Sequence, residues 1–138
     1  MKKYIIAIPQ NKEMEDDYQN GWEIETSLIE KLNLKEDELF YVYTKFPEKT
    51  EYISIPSEVF RELDINEVWE TINKMDTNAL IDTYEEAEIR NKNKLVEVEN
   101  FLNSIKENFS DETTLVVNKI ILLIRKAIRN NVGVYFFF

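Results

Sequence analysis

The sequence predicts a single α+β domain over residues 1–138, with a small mixed or antiparallel sheet of about four strands and helices packed mainly on one face. Three observations carry this. Only 2 Gly and 3 Pro occur in 138 residues, too little turn material for a many-stranded sandwich, so helices should dominate. From residue 57 to residue 130 apolar side chains recur mostly every three or four positions, the helical period. Short aromatic and β-branched runs stand near the start, in the first half and at the end of the chain, where strands are expected. With 43% hydrophobic residues the chain can bury a core, which argues against intrinsic disorder.

Tyr4 to Ile8 is a continuous apolar run stopped by Pro9-Gln10, the pattern of a strand covered on both faces and central in its sheet. Gln10 to Gly21 is polar and acidic, ends in the turn signal Asn20-Gly21, and reads as a long loop. Trp22, Leu28, Ile29 and Leu32 follow at near-helical spacing, with Glu23 and Glu25 in the first turn, where the helix dipole favours acids. Leu39 to Tyr43 and Tyr52 to Ile55 read as strands, joined as an antiparallel hairpin by Phe46 to Thr50.

Ser57 opens a short helix through Leu63. Asp64 with Glu67 three residues on resembles a capping box for a second short helix, whose apolar stripe is Ile65, Val68, Trp69, Ile72 and Met75. Trp69 on that stripe is a core residue. Leu80, Tyr84, Ala87, Asn91, Leu95, Val98, Leu102, Ile105 and Phe109 then predict the longest helix, near 79–109. Unbroken at ~1.5 Å per residue it would reach about 45 Å, so a break or kink is placed at Arg90 to Lys94. Ser110 or Asp111 caps a further helix near 112–130, apolar around most of its circumference and therefore the buried one. Asn131 to Gly133 ends it, and Val134 to Phe138 is a last strand.

Seventeen basic against 27 acidic residues leave a net charge of −10. Its distribution is uneven: +2 in residues 1–9, −6 in 10–47, −5 in 48–76, −5 in 77–112 and +4 in 113–138. Such a surface repels phosphate backbones, so direct nucleic-acid binding is not expected, and it suits a basic protein partner. The basic residues of the last helix, Lys119, Arg125, Lys126 and Arg129, are expected to pair mainly with the protein's own acids. The amino-terminal apolar run is too short for a secretory signal and no later run is long enough to span a bilayer, so the expectation is a cytoplasmic protein with no membrane association.

No His and no Cys means no imidazole acid or base, no thiol nucleophile, no disulfide and no ordinary zinc site. Setting Gly21 at the sixth position of a calcium loop puts Tyr18 at the third and Ser27 at the twelfth, where oxygen ligands of the right kind are required, so that match fails. Two carboxylates would suffice for glycoside hydrolysis, but nothing singles out a pair among 27. No enzyme, metal or cofactor is therefore expected. What remains is an acidic segment with aromatic residues beside it: Glu13, Glu15, Asp16, Asp17, Tyr18, Trp22 and Glu23 are the candidate partner-binding residues, the carboxylates steering a basic partner and Tyr18 and Trp22 anchoring it.

The acidic loop Glu13-Met14-Glu15-Asp16-Asp17-Tyr18, together with the lack of His and Cys and a Lys/Asn/Ile-rich composition, resembles the small acidic immunity proteins of bacterial polymorphic or contact-dependent toxin systems. The resemblance implies a bacterial, non-catalytic inhibitor that neutralises a cognate basic toxin domain, typically a nuclease. An acidic nucleic-acid mimic from a phage or mobile element, or a small regulatory or assembly subunit, would share these features.

Overall fold

A computed structural model describes residues 4–16, 19, 50–75, 81 and 86–138. Four strands, β1 (Tyr4–Pro9), β2 (Thr50–Ile55), β3 (Glu86–Ile89) and β4 (Val134–Phe137), form one antiparallel sheet in the order β2-β1-β4-β3. Among the described residues, helices α1 (Ser57–Ile65), α2 (Val68–Met75), α3 (Lys92–Ile105) and α4 (Asp111–Asn130), with a 3₁₀ turn at Lys106–Asn108, add to the sheet an α+β architecture. The long apolar run of the amino terminus is explained by its place: β1 is internal, paired to β2 on one side and β4 on the other.

Register sorts the side chains. Ile6 lies opposite Ile53 on one neighbour and Phe136 on the other, and Phe136 lies opposite Ala87, a row that faces the helices. Ala7, Tyr135 and Glu88 form the next row, on the opposite face. On the helical side, Phe60 of α1 and Trp69 of α2 meet Phe136 and Phe138, with centroids 5.0 Å apart for Phe60–Phe138 and 4.8 Å for Trp69–Phe138. Tyr4 stacks on Phe60 at 3.7 Å, so both central strands reach this aromatic cluster. Trp69 is core, as its stripe predicts, although its indole N–H finds no acceptor among the described residues.

α4 covers the sheet with Val117, Ile120, Ile121, Leu123, Ile124 and Ala127, all buried. Ser110 caps it, its hydroxyl accepting from the Thr113 N–H at 3.4 Å. Glu62 of α1 adds an anion at the same terminus, accepting from the Ser110 N–H at 2.9 Å, the Ser110 hydroxyl at 2.8 Å and the Thr113 hydroxyl at 2.6 Å. These three donors hold the Glu62 carboxyl below the ordinary carboxylate value, the Thr113 hydroxyl first among them. At the other end Asn131 takes a left-handed conformation (φ 57°), and the Val132 N–H donates to the Ala127 carbonyl at 3.0 Å, closing the helix in a Schellman arrangement.

Three expectations change. Residues 79–109 are not one helix. Ala87 and Ile89 alternate with Glu86 and Glu88, and tertiary pairing on β4 turns that four-residue stretch into strand β3. The helix begins at Lys92, capped by Asn91, whose side chain accepts from the Lys94 N–H at 3.2 Å, and so starts inside the segment where a break was expected. The Asp64–Glu67 capping box does not form, because Asp64 belongs to the last turn of α1 and Glu67 turns the chain with a left-handed φ of 58°. In consequence Ile65 leaves the apolar stripe and is 72% exposed. Finally, the polar segment after β1 is helical over residues 12–16, where Asn11 caps it by accepting from the Met14 N–H at 3.0 Å. The expected helix from Trp22, the strand 39–43 and its hairpin lie outside the described residues.

Two predictions follow from this packing. Leu123→Asp places an unpaired charge in the core and should abolish the cooperative thermal transition, whereas Leu122→Asp, one residue earlier at a site 61% exposed, should leave the midpoint within about 2 °C. Since Glu62 has a lowered folded pKa, its contribution is complete above about 4.5 and is lost as pH falls through the folded value. Urea unfolding should therefore show a decline in stability below that pH which Glu62→Gln makes shallower, with the variant less stable by roughly 1–2 kcal/mol at pH 7.

Candidate functional site

The described part of the acidic segment, residues 12–16 and 19, packs on the sheet face opposite the helices. Its anchor is Glu15, whose side chain is 1% exposed. One carboxylate oxygen accepts from the Gly133 N–H and, at 2.9 Å, from the Tyr135 hydroxyl. The other accepts from Lys12 Nζ at 2.8 Å. Gln19 extends the network: its amide nitrogen donates to Tyr135 Oη at 2.8 Å and to Glu88 Oε2 at 2.7 Å, joining two members of the Ala7–Tyr135–Glu88 row. Asn130 adds a bond from its amide nitrogen to the Gln10 carbonyl at 3.3 Å.

Local structure explains how this is reached. With Asn11 capping the turn, Lys12, Glu15 and Asp16 fall one helical turn apart, so Lys12 meets Glu15 and lies 4.0 Å from Asp16. Gly133 follows the Schellman turn at the point of closest approach: a Cβ there would stand 2.9 Å from Glu15 Oε2 and 3.1 Å from the Ile89 carbonyl. Only glycine admits the carboxylate. Burial pushes the Tyr135 phenol well above its ordinary value, and the neighbouring Glu15 charge pushes it further. The phenol is thus a fixed hydrogen-bond donor, and both oxygens of Glu15 are occupied, an arrangement suited to holding a segment in place.

The candidate residues therefore part company. Glu13 and Asp16 are exposed, on the outside of the anchored turn. Glu15 differs from the solvent-facing carboxylate expected of a steering residue: its polar partners on β4 and the preceding turn hold it buried, where it serves the fold. Asp17, Tyr18, Trp22 and Glu23 lie outside the described residues. Sequence reasoning missed Gly133, Tyr135, Gln19 and Glu88 as the other half of this arrangement. Two signals were present: one of only two glycines in the chain, and a single hydroxyl-bearing ring in the run Val134-Tyr135-Phe136-Phe137-Phe138. Among the described residues, no group of three or more Asp or Glu side chains is placed to hold a metal ion.

Glu15→Ala leaves the Gly133 N–H and the Tyr135 hydroxyl without their acceptor and should cost about 2–3 kcal/mol in urea unfolding. For Tyr135 the sign is opposite to that of Glu62: its folded pKa is raised, so its contribution is complete below about pH 10 and is lost as pH rises beyond, where the unfolded chain ionises and the fold resists it. Stability should fall between pH 9.5 and pH 11, and Tyr135→Phe should flatten part of that decline.

Compared with family models, with curated proteins and with solved structures, the chain matches none.

Proposed function

We propose that the protein is a non-catalytic inhibitor that binds a basic protein, acting as an immunity protein toward a cognate basic toxin domain. The observation that carries this reading is the anchored acidic turn. Glu15 ties residues 12–16 to β4, and so presents Glu13 and Asp16 outward on a backbone already ordered before any encounter. Preorganised charge costs little ordering on binding and steers a partner of opposite sign. The net charge of −10 acts in the same direction at long range. An interface of this kind needs no acid, base or nucleophile of its own, in keeping with a chain that has neither His nor Cys.

The test reads the open reading frames beside this chain's gene: a basic domain encoded there is purified and its association followed by stopped-flow fluorescence, and neighbours that encode no such domain count against the reading. Raising salt from low to physiological strength should slow association and change dissociation less, because exposed charges are screened over roughly 8–10 Å. Glu13→Lys with Asp16→Lys should lower the on-rate about tenfold while the melting temperature stays that of the wild type. A partner bound equally fast by the double variant would place the interface elsewhere, and turnover of a nucleic-acid, ester, phosphate or glycoside substrate by the purified protein, abolished by a single carboxylate change, would overturn the reading.

A further inference from the structure

The last 26 residues carry four bases and no acid, in a chain whose net charge is −10. All four bases lie on α4 and line one groove, of about 690 Å³, between that helix and β2. Two of them are already engaged: Arg125 donates to Glu99 of α3 and Lys126 to Glu51 of β2. Lys119 and Arg129 have no acidic partner among the described residues, although acids outnumber bases in the chain as a whole. Leu115, Lys119, Leu122, Lys126 and Arg129 recur at intervals of four and three, so they form one stripe along the helix. Within it Leu115 is 59% and Leu122 61% exposed, and Leu122 lines the groove with Tyr52 and Ile53. Ten residues, about 15 Å along a helix, separate these two cations, with the exposed leucine between them.

We propose that this groove docks an acidic segment of a partner protein, an apolar side chain seated on Leu122 and carboxylates on either side meeting Lys119 and Arg129. Charge complementarity selects that occupant. A second copy would bring its own cations or a net charge of the same sign. Nucleic acid is repelled by the remaining surface, and its phosphates gain nothing from leucines set between the cations. An anionic bilayer would call on a broader apolar face and more free cations than the two present here. The site stands apart from the anchored acidic turn and does not depend on the inhibitor reading.

The experiment is selection of 12-residue peptides by phage display against the full-length protein, followed by fluorescence anisotropy of the recovered peptides. Expected are sequences with Asp or Glu on both sides of an apolar residue, bound at least tenfold more weakly by Lys119→Glu/Arg129→Glu and by Leu122→Ser, and by the wild type when the peptide acids are replaced by amides. Amide shifts on peptide addition should centre on α4 and β2, and both variants should melt like the wild type. Recovery of no acidic consensus, or of peptides that bind the double variant unchanged, overturns the proposal. So would a concentration-dependent dimer abolished by Leu122→Ser, or binding of a single-stranded oligonucleotide or phosphatidylserine vesicles lost in the double variant, each of which would assign the groove to a different occupant.

Discussion

Strands β1 and β4 come from opposite ends of the chain and pair antiparallel at the centre of the sheet, Ile6 facing Phe136 and Ala7 facing Tyr135. Everything else is hung on that pairing. β2 and β3 are held at the outer sides of these two strands, α4 packs its apolar face on β1 and β2, and the aromatic cluster joins Tyr4 and Phe136 through Phe60 and Trp69. The contact closes a loop of nearly the whole sequence, so its entropy cost must be met by burial of several large side chains at once. Such a core is cooperative by construction. The internal helices can begin to form locally, but the sheet that gives them a surface to pack on waits for the final residues.

The same pairing produces two different faces. Toward the helices the central rows are apolar, and the core runs without interruption from α1 to α3. Away from them, Tyr135 and Glu88 bring polar atoms into the central rows beside the small Ala7, and the segment after β1 answers with Glu15 and Gln19. A buried carboxylate is costly unless its oxygens are satisfied, and here a backbone N–H, a phenol and an ammonium satisfy them. The result is specificity of position: one register of the turn meets Gly133, and any other leaves charge buried without partners.

Carboxylates thus do two kinds of work in this protein. Glu62 and Glu15 act inward, one at the amino terminus of α4 and one beside its carboxyl-terminal turn, and so brace both ends of the central helix. Glu13 and Asp16 remain outside and contribute to the long-range field. α4 itself divides the same way: its inner face is core, and its outer face carries Lys119, Arg125, Lys126 and Arg129. A molecule that segregates charge between elements has two chemically distinct surfaces, an acidic one set by the turn after β1 and a basic, leucine-bearing one set by α4 and β2.

What could be read without coordinates was whatever has a local period or a local cap. The continuous run Tyr4 to Ile8 announced a central strand, the stripe through Val68, Trp69 and Ile72 a packed helix, and Ser110 with the nearly all-round apolar pattern to Asn130 the buried helix, because each depends on neighbours only a few residues away. The candidate site was legible as a segment, through its charge, but not by residue. Nothing in Glu13-Met14-Glu15-Asp16 distinguishes the middle acid, since burial of Glu15 depends on Gly133 and Tyr135, more than a hundred residues on. Strand β3 was hidden for the same reason: Glu86-Ala87-Glu88-Ile89 fits a helix or an alternating strand equally well over four residues, and only the free positions beside β4 decide between them. Sequence alone determined composition, charge and the elements with strong local periodicity. Tertiary structure decided which carboxylates are inside and which edge is paired, because burial and strand pairing are non-local interactions that no local spacing encodes.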